Sequence, residues 1–344
     1  MSAMVVGARS AKVFSKVASV LGAMMAVAMV AGCAPEGAIG DELDGEFGES
    51  AADEARADSF VLFRLRHDTR RCVSPLCGGV WVSRVNRSTT RCADGTYARE
   101  CYAAEVDYTA LGLDEAARSE FSSSASSGQA IVRARLRSKT FGSFGALGEL
   151  VVTEGWKAMT DAAPTGPFYF AKDNGRVCIR TPCPHVDVSR LNYVGTTTID
   201  GVSVSRIAGL SDSDVHNAYE QMGDVGVIVA GGIRSRALPS GSVERTIDAT
   251  QVYLRVGQAV SEAQFCDRND ECTRTPYRAT VTSASECFCP LCPTTVTNVS
   301  SAEANQRSWQ RFCSRTSTSC PVVRCARPPE VACVNHACVN APEF

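Results

Sequence analysis

Thiols are the side chains whose number and spacing can do chemistry in this sequence. The chain of 344 residues carries 17 cysteines. At that density thiols serve disulfides, metal or lipid. Cys72 and Cys77 bracket a C-x4-C loop, and Cys178 and Cys183 bracket another. Cys92 and Cys101 lie between them. Beyond residue 262 follow Cys266, Cys272, Cys287, Cys289, Cys292, Cys313, Cys320, Cys325, Cys333 and Cys338. The run Cys287-Phe-Cys-Pro-Leu-Cys292 with Cys266 and Cys272 has the donors for a zinc cluster, and His67 or His185 could add to the two short loops. Disulfides are the expectation instead, because each C-x4-C loop offers only two thiols. Apart from Cys33, the other sixteen divide into six and ten, both even, which leaves no thiol over.

Cys33 belongs to a different pattern. Arg9, Lys12 and Lys16 precede a short apolar stretch, 17–30, which ends in Val30-Ala31-Gly32-Cys33. A span of that length suits a signal h-region better than a bilayer crossing. The last four residues resemble a bacterial lipobox. The resemblance implies cleavage before Cys33 and a diacylglycerol on its sulfur. The attached acyl chains bury CH₂ groups at about 0.8 kcal/mol each, enough for stable anchoring. Ala34 rather than Asp follows, which in lipoproteins of this type implies the outer membrane. Residues 34–57 hold eight carboxylates against Arg56 alone, and Phe47 is the one aromatic. Such a stretch cannot bury enough surface to fold and is expected to be an extended tether.

Other chemistry is sparse. Gly142, Gly145 and Gly148 do not form a phosphate loop, and no G-x-S-x-G, H-E-x-x-H or S-x-x-K is present. Asp267-Arg-Asn-Asp-Glu271 begins like a calcium loop but lacks its glycine and closing glutamate, so a solvated tight loop is expected. The net charge of −2 argues against a nucleic-acid partner. The arginines are scattered along the chain, which reads as composition rather than ligand recognition. No metal or other cofactor is expected.

The elements that hold these cysteines occur twice. Residues 72–86 read CVSPLCGGVWVSRVN and 178–192 read CIRTPCPHVDVSRLN. Both cysteines, Val80/Val186, Val82/Val188, Ser83/Ser189, Arg84/Arg190 and Asn86/Asn192 recur at one offset (178 − 72 = 106), the mark of an internal duplication. Strands are expected at 60–65, 80–85, 101–107, 130–136 and 150–156, with a helix capped by Asp114. The second copy places strands at 168–170, 186–191, 202–207, 225–230 and 247–256. Its helix opens on a Ser211/Asp214 capping box and has Val215, Ala218, Tyr219 and Met222 on one face. From the helix onward the offset is 97, so the first copy carries about nine extra residues. These include Cys92 and Cys101, both missing from the second copy, which pairs them with each other and leaves Cys72–Cys77 and Cys178–Cys183 as loop staples. In the C-terminal region a helix is expected with Ser300 as its cap, Val299 and Ala304 as a staple, and Trp309, Phe312 and Cys313 facing inward.

The runs RRCVSPLCGGVWVSRVN, RCADGTYARECYAAEVDYTALGL, ELVVTEGW and NGRVCIRTPC resemble a domain family of unknown function found in lipoproteins and secreted proteins of myxobacteria. The resemblance covers about 58–257. It supports the fold and an envelope location and assigns no functional residues. The C-x-x-[DN]-x-[DE]-C run from Cys266 is similar to openings of extracellular bacterial cysteine-rich modules.

The expected fold class is α+β. A signal sequence (1–32) and the lipidated tether (33–57) precede two similar β-rich units (58–160 and 161–257), each of several strands and one helix. A disulfide-rich module follows (262–344). The expected function is a non-enzymatic, outer-membrane-anchored protein. It would hold the membrane through lipid on Cys33 and bind a protein or polysaccharide. A protease inhibitor with a stapled loop and a carboxylate-based hydrolase are the rivals. Converging carboxylates in a deep pocket would mark the hydrolase, a protruding stapled loop the inhibitor, and an apolar patch or groove the binder.

Overall fold

The structure, a computed structural model, describes residues 60–314 and 320–341. The expected signal sequence, Cys33 and the tether lie outside the described residues. The first half runs β1 (Val61–His67), β2 (Val80–Arg84), β3 (Thr90–Arg91), β4 (Tyr97–Ala98), β5 (Cys101–Ala103), β6 (Glu105–Asp107), α1 (Glu115–Ser126), β7 (Ala130–Thr140) and β8 (Ala146–Ala158). The second runs β9 (Phe168–Asp173), β10 (Val186–Arg190), β11 (Thr197–Ile199), β12 (Gly201–Ser203), α2 (Asp212–Asp224), β13 (Val227–Ala237) and β14 (Val243–Val256).

Local chemistry sets these boundaries. Alternation buries Phe63 and Leu65 of β1 and Val80 and Val82 of β2. The Asp114 carboxylate accepts the Ala117 N–H and starts α1. Ser211 and Asp214 form the reciprocal capping box of α2. On α2, Ala218 and Met222 are buried while Tyr219 stays at the rim.

One sheet runs through both halves in the order β11-β10-β9-β13-β14-β8-β7-β1-β2-β5. β8 and β14 pair antiparallel at its centre, Tyr253 opposite Ala158. β6 lies parallel to β8 and β12 parallel to β14. Register shifts fall at Arg133/Ala134 and Ala230/Gly231, where 231 − 134 = 97. So many strands in a row do not stay flat. One face of each half-sheet is covered by its own helix, α1 beside Phe63, Val82 and Val132, and α2 beside Val186, Val229 and Val252. The opposite faces meet in a shared cluster of Val85, Ile131 and Trp156 with Leu191, Ile228 and Tyr253.

Two expected strands are shorter than the sequence suggested. The 101–107 strand breaks at Ala104, whose N–H donates to the Gly148 carbonyl. Backbone approaches so closely there that a Cβ on Gly148 would lie 2.4 Å from the Tyr102 oxygen. The 202–207 strand ends at Ser203. Val204 and Ile207 are both buried in the α2 cluster and a turn joins them, so alternation is lost.

The C-terminal region holds β15 (Cys272–Thr275), β16 (Thr295–Asn298), α3 (Val299–Cys313), β17 (Val331–Val334) and β18 (Ala337–Asn340). Its five bonds are Cys266–Cys333, Cys272–Cys338, Cys287–Cys313, Cys289–Cys320 and Cys292–Cys325. Asn298, not Ser300, caps α3. Its Oδ1 accepts the Ser301 N–H while its Nδ2 donates to the Glu262 and Phe265 carbonyls. An amide serves both ends of that junction, which a serine hydroxyl could not. Cys313 is buried, Trp309 donates to the Phe288 carbonyl and Phe312 is half-buried.

Candidate binding cleft

A cleft of about 730 Å³ opens on the first half. Among the described residues five arginines line it, Arg64, Arg66, Arg84, Arg87 and Arg99, against the single carboxylate of Glu100. They come from β1, the end of β2 and the segment before β5, so residues 35 apart in sequence (99 − 64) share one wall. Read linearly these arginines are scattered; folded, these five converge. The usable signal was a comparison of the two segments related by the offset of 106. At offset 106, Arg64, Arg66 and Arg87 stand against Phe170, Lys172 and Tyr193.

Each arginine is positioned by its neighbours. The Arg64 guanidinium lies 5.7 Å from the Phe168 ring centre. It also faces Tyr253, whose hydroxyl burial pushes up to about 12 despite that charge. Arg66 donates to Glu100 at 2.8 Å, and this hydrogen bond holds the Glu100 carboxyl below its usual range. Arg87 donates twice to the Asn192 carbonyl and stacks 3.7 Å from the Tyr193 ring centre. Arg84 is 7% exposed, with its N–H donating to Thr90 Oγ1. Thr90 also donates to the Arg99 carbonyl. The Cys92–Cys101 disulfide closes the segment that carries Arg99 and Glu100. The extra piece of the first half therefore forms the wall of the cleft.

Below this wall the halves grip each other. Asn86 accepts the Phe168 N–H at 2.9 Å and donates to the Phe168 and Leu191 carbonyls at 2.7 and 3.1 Å. Asn192 accepts the Leu62 N–H at 2.9 Å and donates to the Leu62 and Val85 carbonyls at 2.8 and 2.9 Å. The partners differ by the same offset (168 − 62 = 191 − 85 = 106). Both asparagines sit at positive φ, 60° and 61°, a conformation asparagine tolerates better than most residues. Of the two expected Arg–Asn pairs, only Arg84 and Asn86 line the cleft. Arg190 lies 4.6 Å from the Tyr193 ring centre instead.

The loop cysteines are bonded as Cys72–Cys77 and Cys178–Cys183. The first loop is held by Asp68, whose buried carboxylate takes Arg70 in a two-pronged pair and the Trp81 indole N–H. Hydrogen bonding to Arg70 keeps Asp68 far below the usual carboxylate range. The second loop projects, with Val177 and Ile179 wholly open to solvent. His185 contacts the Cys183 carbonyl.

The expected solvated loop at Asp267 is instead a junction. Its carboxylate takes Arg135 at 2.8 Å and Arg137 at 2.7 Å, and faces His336 at 3.4 Å. His336 Nε2 meets Asp107 at 2.9 Å, its Nδ1 meets the Cys266 carbonyl, and its ring stacks on Phe265. The hydrogen bond to Asp107 raises His336 above its ordinary value and holds Asp107 far below its own. Arg137 and Lys139 also meet Glu149. Burial raises the Glu149 carboxyl, but these two cations outweigh it and hold it low. The sulfurs of Cys266, Cys272 and Cys338 lie within 4.8 Å of one another. All three are spent in disulfides, so they are not thiolate donors.

Among the described residues no helix is long and apolar enough to cross a membrane. Eight disulfides befit an oxidising, extracytoplasmic compartment. Neither the curated proteins nor the solved structures gave a match to the chain. Residues 61–259, which hold both half-sheets, both helices and the cleft, match a domain of unknown function (DUF6748), and the chain belongs to that family.

Proposed function

We propose that this protein is a lipid-anchored envelope protein that binds another macromolecule. The open cleft with its stapled wall carries this reading. A rigid, preformed site loses little conformational entropy on binding. Arginine cannot act as a general base near neutrality. The one carboxylate in the cleft is held low by Arg66, so the site suits recognition better than turnover. An apolar patch or groove was the expected mark of a binder; this cleft is cationic. Lipidation of Cys33 and the outer-membrane location rest on the sequence pattern. Duplication of one half-domain is part of the proposal. The matched offsets of the two asparagine grips and of the two register shifts support it. Passing a detergent extract of envelopes over the immobilised full chain tests the reading. One retained macromolecule at near-equal stoichiometry is expected; degradation of an envelope polymer by the chain would replace binding with catalysis.

A second reading has its own observation. The 178–183 loop is stapled and presents Ile179 wholly exposed, a shape suited to entering a protease that takes aliphatic side chains. Inhibition of an elastase-type protease that vanishes in Ile179→Asp would support it, and cleavage of the loop without inhibition would dismiss it.

A further inference from the structure

We propose that the arginine cleft binds an acidic polysaccharide, a sugar chain carrying carboxylate or sulfate groups. This rests on the binding reading above and names its ligand. The lining concentrates five guanidinium groups against one carboxylate in a chain whose net charge is −2. Guanidinium stays charged at every physiological pH, and its planar fork matches carboxylate and sulfate oxygens. The remaining lining suits a hydroxyl-rich ligand. Ser83, Ser88 and Ser127 border the arginines.

Other anionic partners fit less well. Leu65 and Val85 are each 2% exposed, so an apolar peptide side chain meets no apolar wall. No tryptophan or tyrosine lines the cleft and Phe168 is 7% exposed, so nucleic-acid bases have no stacking platform. The volume of about 730 Å³ lies within the range of ligand sites and admits a short run of sugar rings.

The second half argues that this charge is not a by-product of the fold. The same strand register recurs there, Arg64 opposite Ser83 and Phe170 opposite Ser189. There Phe170 and Tyr193 stand in the places of Arg64 and Arg87, Lys172 and Arg190 keep the charge of Arg66 and Arg84, and the stapled wall is missing. The second half keeps the same strands without a cation at the place of Arg64 and without the segment that carries Arg99, so the charge of these two answers to something outside the fold.

The test titrates the purified full chain, in detergent at low salt, with polygalacturonate, heparin oligosaccharide, dextran and oligo(dT). Both acidic polysaccharides should bind, with affinity falling as salt rises, and dextran should not. Arg64→Gln combined with Arg99→Gln should weaken that binding by at least about tenfold, since charge-assisted hydrogen bonds are lost. Arg99→Glu alone, at an exposed position where folding is not at risk, should weaken it in the same direction. Arg234→Gln with Arg236→Gln removes equal charge from β13 and should leave binding unchanged. Equal loss in both double variants, tighter oligo(dT) binding, or no binding of either acidic polysaccharide would overturn the proposal. The broader reading is separable. If the Arg64→Gln/Arg99→Gln chain still retains the envelope macromolecule that the natural chain retains, the cleft assignment fails and the binding reading stands. If the natural chain binds polygalacturonate but retains nothing from envelopes, the reverse holds.

Discussion

Asn86 and Asn192 each satisfy three backbone groups of the opposite half from a positive φ. Glycine keeps that φ and removes the amide, so it isolates the hydrogen bonds from the backbone preference. Asn86→Gly and Asn192→Gly should each cost roughly 2–3 kcal/mol, at about 1 kcal/mol per hydrogen bond lost. Denaturant unfolding measures this, and a loss below half of one such bond in either variant would mean that the grips are ornamental. These asparagines are legible in the sequence, because they recur at the offset of the cysteines. The cleft is not. Arg84 recurs at that offset too, but only the fold brings Arg64 and Arg99 beside it.

Elements tell a similar story at larger size. Strands and caps that follow alternation or a capping box fall where the sequence puts them, as with Asp114 and Ser211. The differences arise where tertiary contact overrides local pattern: Ala104 beside Gly148, Val204 under α2, and Asn298 bridging two loops. The docking of the C-terminal region onto the sheet is equally hidden, since Asp107, Arg135, Arg137, Asp267 and His336 are spread over most of the chain. That contact should respond to pH. His336 faces acceptors on both ring nitrogens, so only the protonated ring can donate to both. Its folded value lies above the ordinary 6.5. Its stabilisation is therefore complete below about 6.5 and fades as pH rises through the raised folded value. Asp107 and Asp267 are lowered from 3.8, so their contribution is present above that pH and fades below it. Docking should be tightest at mildly acidic pH. Protection against hydrogen exchange in 331–340, corrected for the intrinsic base-catalysed rate, should fall from pH 5.5 to 8.5 in the natural chain, and His336→Gln should flatten that dependence. An unchanged profile in the variant would remove His336 from the account.

For the whole molecule, anchoring and redox state are the exposed claims. Cys33→Ser should move the protein from the membrane fraction to the soluble one, because the lipid is the proposed hold on the bilayer. Full retention would end the lipoprotein reading. Alkylation under denaturing, non-reducing conditions should label no cysteine, since sixteen are bonded in eight pairs and Cys33 would carry lipid. Reduction should lower stability most in the C-terminal region. The Cys266–Cys333 and Cys272–Cys338 bonds close separations of 67 and 66 residues, each worth roughly 4 kcal/mol in the chain-entropy view.

The asparagine grips have a consequence between molecules. Each half is held by groups that lie on the other, and neither grip identifies which chain supplies its partner. The short connection between β8 and β9 settles the matter by effective concentration alone, since it keeps the two halves of one chain far closer than two chains in dilute solution. Thr160 within that connection is fixed by the Gln251 amide. A chain shortened between 160 and 166 could no longer fold back, and its halves would find those of a neighbour. The product would be an exchanged dimer with two copies of every grip intact.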